Sequence, residues 1–422
     1  MSNLEQLRPC SGYCQMLGAA VALLSIKGSV VIFNSPRWCA LTGERELAYI
    51  NKEYEQRLFC TEARENDILY GIEISLRETI QEAVKLNDSL KLLSVISSCS
   101  MSLIGDDIKG VCESEAVCSK VIALDAGGFT GTFESGYRLA MLALLKNIAV
   151  SKIERMPKKV NLLGVCTSYP HWEGNLTELK RLLTSVGIEV GISLGADELS
   201  IEELNKIPEA ELNIVLVPEI SLEIAEYLLD KFGQRYLVAP IPFGFKGTMQ
   251  WLDNICKELG MESKKDALEK EVAVLQRDIA DAAYNMRNLF VDFNLQQVIS
   301  RMPNSMTESV FKAFDDSEID IFKCSRCYCS GELTNNSAEY FNWNILSDIS
   351  PLEKCSYQLL LSTEKERVML QNFRRTLYLN FSMPAGKVKS KSSCFAGIRG
   401  WNNLVQNIFG QIRTLEYINN SL

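Results

Sequence analysis

Apolar positions along the chain alternate between two periods. Short runs with little polar interruption, Ser29–Phe33, Leu92–Ile96 and Val121–Leu124, read as buried strands, and the first ends at Asn34-Ser35-Pro36. Between them, Ile68, Leu69, Ile72, Leu76, Ile80 and Ala83 recur at helical spacing, which predicts one helix over Asp67–Lys85; Tyr137–Lys146 reads as another. From residue 160 onward the alternation is cleaner. Val160–Gly164, Ile188–Leu194, Ile214–Val217 and Tyr236–Ala239 read as strands. They are followed in turn by helices over Asn175–Val186, Ser200–Lys206, Ser221–Phe232 and Thr248–Leu259. Strand–helix alternation at this spacing predicts parallel sheets covered on both faces. A charged helix from Lys265 to about Asn288 leads into a less regular part. That part holds strand-like Tyr357–Leu361 and Leu377–Phe381 and a closing helix from about Gly400 to Tyr417. The expected architecture is α/β, with three Rossmann-like lobes over residues 1–150, 151–262 and 263–422, the third divergent.

Composition narrows the function classes. The 422 residues are 47% hydrophobic and 23% charged with net charge −9, which suits a packed globular chain and lacks the basic footprint of a nucleic-acid binder. No apolar run approaches the ~20 residues of a membrane-spanning helix. Met16–Ile26 follows Arg8 and has about the length of a signal's apolar core. Cys14 precedes it, however, and no small-residue cleavage site closes it, so a cytoplasmic location is expected. There are 14 cysteines and a single histidine, His171. A disulfide scaffold does not suit a chain of this size. Any bound metal must then be held mostly by thiolates, which favour iron–sulfur clusters or zinc.

Ligands of open α/β sheets sit outside the carboxyl ends of the strands. Cys39 follows the strand Ser29–Phe33 by a few residues, Cys99 lies just past Leu92–Ile96, and Cys14 opens an apolar segment. They are far apart in sequence and would meet only in the fold. The flanking segments are Cys14-Gln15-Met16-Leu17-Gly18-Ala19, Ser35-Pro36-Arg37-Trp38-Cys39 and Glu65-Asn66-Asp67-Ile68-Leu69-Tyr70-Gly71. Ser97-Ser98-Cys99 with Leu103-Ile104-Gly105-Asp106-Asp107-Ile108 and Gly127-Gly128-Phe129-Thr130-Gly131-Thr132 follow in order. Leu212–Val215, Pro240–Gly244 and Phe395–Gly400 extend the series. In order and spacing these segments resemble the component 1 subunits of nitrogenase and its relatives, which include light-independent protochlorophyllide reductases and the cofactor-assembly scaffold.

The resemblance implies that Cys14, Cys39 and Cys99 ligate an iron–sulfur cluster, [4Fe–4S] or larger, shared with a homologous subunit. It also implies an ATP-dependent iron–sulfur reductase as electron donor, with no nucleic acid and no membrane among the partners. Gly18, Gly105 and Gly131 are expected at the cofactor, where close backbone approach or positive φ is needed. Asp106 and Asp107 are expected to cap the helix after Cys99. The pattern after Cys14 is similar to the β-type or scaffold-type subunit. The cysteine that holds the large nitrogenase cofactor in the catalytic subunit falls at Val217, and no histidine matches its second ligand. The chain is therefore expected to relay electrons as an oxidoreductase subunit; the alternative is a non-catalytic scaffold on which a metallocofactor is assembled or held.

Other residues carry weaker signals. Cys324-x-x-Cys327-x-Cys329 is half of a paired metal motif and reads as a second metal or redox site, with Cys355 or Cys394 as further donor, or as neither. Cys10 and Cys60 read as bystanders, Cys112 and Cys118 as surface thiols, and His171 as a loop histidine. Gly127–Thr132 has glycines before a helix but no Walker lysine, so ATP is expected on a partner.

Overall fold

The computed structural model describes residues 13–115, 120–147, 154–196, 199–287, 297–300, 302–317, 319, 322, 326–329, 343–345, 358–362, 376–381 and 393–420. Three parallel sheets organise it. The first is built from β1 (Ser29–Asn34), β2 (Leu58–Cys60), β3 (Leu92–Ser97) and β4 (Val121–Asp125), in the order β2-β1-β3-β4. Every residue of β1 and β3 is buried, as expected of central strands covered on both faces. Phe33 sits opposite both Cys60 and Ile96, and Ile96 opposite Leu124, so the carboxyl ends of all four strands finish at one edge.

Eight helices surround this sheet: α1 (Gln15–Leu24), α2 (Arg37–Ile50), α3 (Lys52–Glu55), α4 (Glu65–Tyr70), α5 (Glu73–Leu86), α6 (Cys99–Ile104), α7 (Ile108–Glu115) and α8 (Phe133–Lys146). All ten residues of α1 are buried, so the apolar run Met16–Ile26 is core. It lies hard against α8. A Cβ on Gly18 would fall 1.9 Å from the Phe133 carbonyl oxygen, and one on Gly136 1.9 Å from that of Gln15. The single helix expected over Asp67–Lys85 is instead two, α4 and α5. Gly71 breaks it at φ +95°, and the Asp106 carboxylate accepts the N–H of Ile72, which the break has freed.

The second sheet has β5 (Met156–Leu163), β6 (Glu189–Leu194), β7 (Ala210–Val215) and β8 (Arg235–Val238), in the order β6-β5-β7-β8. Its helices are α9 (Trp172–Ser185), α10 (Ile201–Leu204), α11 (Pro218–Phe232) and α12 (Phe245–Glu258). The Tyr137 hydroxyl of α8 donates to the Val165 carbonyl at 2.7 Å, joining the first sheet's helices to the edge of the second.

Helices α13 (Asp266–Asn285) and α14 (Asn304–Asp316) lead to the third sheet. Its strands are β9 (Gln297–Ser300), β10 (Arg326–Cys329), β11 (Trp343–Ile345), β12 (Gln358–Ser362) and β13 (Thr376–Asn380), all parallel in the order β11-β10-β9-β12-β13. The region that reads as irregular in sequence is thus the same kind of sheet, and β9, β10 and β11 are strands the hydrophobic pattern does not announce. The closing helix α15 (Gly397–Asn420) returns to α9. There the Asn175 side-chain oxygen accepts the N–H groups of Phe395 and Ala396, and the Glu178 carboxylate accepts that of Arg399. Among the described residues, no helix is long and apolar enough to cross a membrane.

Candidate metal centre

The carboxyl edge of the first sheet gathers the three thiols. Cys39 is the third residue of α2, which starts at the turn after β1. Cys99 is the first residue of α6, directly past the end of β3. Cys14 is the N-cap of α1 and bridges to Thr132, the N-cap of α8. All three are half-buried free cysteines. Each stands at a helix N-terminus, where unpaired N–H groups face outward and suit a thiolate ligand.

The loop between β4 and α8 closes the site. The Gly128 N–H donates to Cys99 Sγ at 2.9 Å. A Cβ on Gly128 would stand 3.0 Å from Cys14 Cβ and 3.3 Å from Cys99 Sγ, so a glycine lets this backbone lie between two thiols. Buried Gln15 fixes the loop: its Oε1 accepts from the Thr130 hydroxyl at 2.6 Å and its Nε2 donates to Ser135 Oγ at 3.2 Å. Ser102, one turn into α6, donates to the Asp125 carboxylate at the end of β4. Gly128 and Gln15 were not among the expected site residues. The signal was present in the Gly127-Gly128 pair ahead of a helix, but which glycine meets a sulfur is a matter of three dimensions.

The thiols share one electrostatic neighbourhood. Burial pushes the Cys39 thiol up, and the charges of Cys14, Cys99 and Cys60 push it further. A positive centre among these sulfurs relieves that repulsion and displaces the proton. Soft thiolate donors, a backbone N–H on sulfur and an edge open to solvent fit an iron–sulfur cluster. Among the described residues, no three His, Cys, Asp or Glu side chains close on a single ion.

The expected glycines divide. Gly131 sits beside Gln15 and Ser135 and belongs to the loop that closes the site. Gly105 ends α6 in the left-handed region at φ +79°, open on its Cβ side. Gly18 lies one turn beyond Cys14, and its close contact is with the backbone of Phe133, so it serves helix packing. Of the two aspartates, Asp107 caps the start of α7 by accepting the Gly110 N–H, whereas Asp106 turns to Ile72.

Large apolar side chains stand exposed on the elements next to the thiols. Trp38 beside Cys39 is 78% exposed, and Tyr70 on α4 is 85% exposed. Leu69, Leu103 on α6 and Phe129 in the glycine loop are comparably open. Large exposed apolar side chains grouped around one site mark an interaction surface.

The remaining thiols lie elsewhere. Cys112 is not a surface thiol; α7 packs it into the core. Cys324, Cys355, Cys10 and Cys118 fall outside the described residues. Cys327 and Cys329 lie on β10, paired on both sides by β9 and β11, with their side chains outside the description. Cys394 is buried, and Asn403 donates to its carbonyl. Cys166, at the carboxyl edge of the second sheet, is buried, bonded to Ser168 Oγ at 2.9 Å, and pushed up to about 11 by burial. It lines a cavity of about 30 Å³ with Tyr169, Trp172, Leu216, Ile241 and Met306. His171 caps α9 with φ +63°, bonds Ser393 Oγ through Nδ1 at 2.8 Å, and lies 4.3 Å from the Phe395 ring. Burial holds its pKa down, against a backbone hydrogen bond with Asn380 that raises it. An open groove of about 500 Å³ runs along α12 beside β8 and α14.

Comparison with known proteins places these features in context. The family model described as nitrogenase component 1 type oxidoreductase matches residues 14–294. The nitrogenase iron-molybdenum cofactor biosynthesis protein NifE of Clostridium pasteurianum is 30% identical over 255 residues, 60% of this chain and 54% of that protein. The nitrogenase vanadium-iron protein beta chain of Trichormus variabilis is 24% identical, covering 58% of this chain and 57% of that protein. A light-independent protochlorophyllide reductase subunit of Chlorobium phaeovibrioides is 29% identical, covering 46% of this chain and 37% of that protein. The chain thus spans about half the length of most of these relatives. Among solved structures, nitrogenase Cp1 at pH 6.5 superposes with a TM-score of 0.77 at 15% identity, covering 98% of this chain and 94% of that one, a likeness of fold.

Proposed function

The chain belongs to the nitrogenase component 1 type oxidoreductase family, and we propose that within it the chain is a scaffold-type subunit that holds an iron–sulfur cluster on Cys14, Cys39 and Cys99. One observation carries the reading: three half-buried thiols at three helix N-termini lie along one sheet edge, and two of them, Cys14 and Cys99, flank a glycine whose N–H binds the Cys99 sulfur. A bound cluster supplies one-electron chemistry. The chain's own residues do the holding. Gln15 fixes the glycine loop, Gly128 leaves room for the Cys14 and Cys99 side chains and donates to the Cys99 sulfur, and the helix N-termini face the negative charge that the thiolates bring.

Two features favour holding over turnover. Relatives that the chain resembles are named cofactor biosynthesis proteins. The carboxyl edge of the second sheet is filled: Val217 is fully buried there, and the cavity beside Cys166 has room for about one or two waters. The apolar side chains exposed beside the thiols support a partner docked there, in keeping with a homologous subunit that shares the cluster. Electron relay to a substrate site in that partner, fed by an ATP-dependent iron–sulfur reductase, is the second reading. The openness of the thiol edge favours it, because electrons and clusters both need a short path outward.

The test uses the chain purified anaerobically with its co-expressed homologous subunit. Iron, sulfide and the electron paramagnetic resonance of the reduced form are measured for wild type and Cys99→Ala. Iron bound in wild type and lost in the variant is expected. Radiolabelled iron that then moves to an apo component 1 acceptor marks a scaffold; iron that stays while a reductase drives repeated oxidation and reduction marks a relay. Wild-type protein without iron overturns both.

A further inference from the structure

A buried carboxylate links two of the thiol-bearing segments. The inward face of α2 carries Ala40, Gly43, Leu47 and Ile50 at helical spacing, and Glu46 lies among them, only 8% exposed. A carboxylate on an apolar face is costly unless its oxygens are occupied. Here Oε2 accepts from the Tyr13 hydroxyl at 2.7 Å, and Oε1 accepts from Arg45 Nη2 at 2.9 Å and Nε at 3.3 Å. Arg45 belongs to α2 and stays largely exposed, so it balances the charge from the solvent side. Tyr13 belongs to another segment: it is half-buried and directly precedes Cys14. Glu46 follows Cys39 by seven residues, about two turns or ~10 Å along the helix, so the two share one face of α2. The three thiols are otherwise fixed to different parts of the lobe. Cys14 and Cys99 both pack against Gly128, and Cys14 bridges to Thr132. Cys39 rides on α2, whose Gly43 lies hard against the Phe33 ring. The Tyr13–Glu46 hydrogen bond spans these two groups.

We propose that Tyr13 and Glu46 are positioning residues that set the separation of Cys39 from Cys14 at the thiol site. Neither touches the metal. The hydroxyl holds the residue before Cys14, the carboxylate holds α2 two turns past Cys39, and a hydrogen bond to an ionised acceptor is short and strong. A slide of α2 by about 1 Å would carry Cys39 several times farther than the ~0.2 Å within which metal–ligand distances are held. The brace also accounts for a carboxylate where the helix pattern calls for an apolar residue. It has this role only if the proposed thiol trio binds a cluster.

The experiment uses the full chain with its co-expressed homologous subunit, reconstituted anaerobically with ferrous iron and sulfide. Wild type, Tyr13→Phe, Glu46→Ala and Glu46→Gln are compared by iron content, by the paramagnetic resonance of the reduced form and by the rate of iron loss to a chelator. Tyr13→Phe removes one oxygen and keeps the ring. It and Glu46→Ala are expected to bind iron, to shift or broaden the reduced signal, and to lose iron on the order of tenfold faster. Glu46→Gln keeps an oxygen that accepts from Tyr13 and is expected to restore the wild-type signal and rate. Cys166→Ala, which loosens the core away from the thiols, is the control for stability and is expected to lower the melting temperature without moving the signal. A wild-type signal and loss rate in Tyr13→Phe overturn the brace and leave the trio standing. So does a change that Cys166→Ala reproduces at an equal drop in melting temperature, or a Glu46→Gln protein that behaves as Glu46→Ala does. Wild type that takes up no iron overturns the trio and the brace together.

Discussion

The first and second sheets place cysteines at the same position, the carboxyl edge of a parallel sheet, yet treat them oppositely. At the first edge, Cys14, Cys39 and Cys99 are half-buried, stand at helix N-termini, and share a neighbourhood with a backbone N–H on one sulfur. At the second, Cys166 is enclosed among Tyr169, Trp172 and Leu216, and burial favours its neutral form. Residue type and topological position are alike, so neither decides chemistry. Access to solvent and the direction of the nearest N–H groups do.

The largest expected effect is on thiol reactivity. A thiol pushed up from 9.0 to about 11 carries about a hundredth of the thiolate that an ordinary thiol carries at neutral pH. Alkylation of Cys166 in the folded protein should therefore run at least ~100-fold slower than alkylation of the same thiol in the urea-unfolded chain, and more slowly than that of the solvent-open Cys14 and Cys99. Peptide mass spectrometry after timed iodoacetamide treatment of the apoprotein checks this; equal rates would erase the contrast. Next, Cys99→Ala should remove most of the iron, on the order of tenfold, whereas Cys166→Ala should leave iron unchanged and lower the melting temperature through a small core cavity.

The glycines sharpen the comparison further. Gly18→Ala puts a methyl group against the Phe133 backbone between two packed helices, at a cost of about 1–3 kcal/mol or more in urea unfolding. Gly128→Ala presses on Cys14 Cβ and Cys99 Sγ and should cost less stability, on the order of 1 kcal/mol, while lowering iron content several-fold. If Gly128→Ala left iron intact, the loop would be a bystander to the thiols.

Stability should also depend on pH. The Cys166 thiol rises from 9.0 unfolded to about 11 folded, so its neutral form is favoured by the fold. Its contribution is full below pH 9 and is lost as pH rises through 11, for a total of roughly 2–3 kcal/mol. His171 works in the opposite direction. Its folded value lies below 6.5, so its contribution is present above that pH and lost as the solution becomes more acid. Urea unfolding at several pH values should show the alkaline loss in wild type and not in Cys166→Val.

Much of this architecture was legible in the chain. Strands β1, β3 and β12 fall within a residue or two of their apolar runs, because a strand buried on both faces must be apolar almost throughout. The break at Gly71 was not legible, since the helical period continues across it and only the positive φ and the Asp106 contact end the helix. Cys112 looked exposed between charged neighbours, but the packed face of α7 holds it inside.

The sequence by itself determined that the chain is α/β with parallel sheets, that thiolates rather than histidines must hold any metal, and which glycines and aromatic residues flank the cysteines. These are properties of local period and composition. Only the tertiary structure decided that Cys14, Cys39 and Cys99 stand along one sheet edge, that Gly128 packs against Cys14 and Cys99, that Gln15 fixes the loop, and that Cys166 is sealed away. Those outcomes depend on which strand ends share an edge and which helices close over it. Sheet order and long-range packing set both, and no window along the chain contains either.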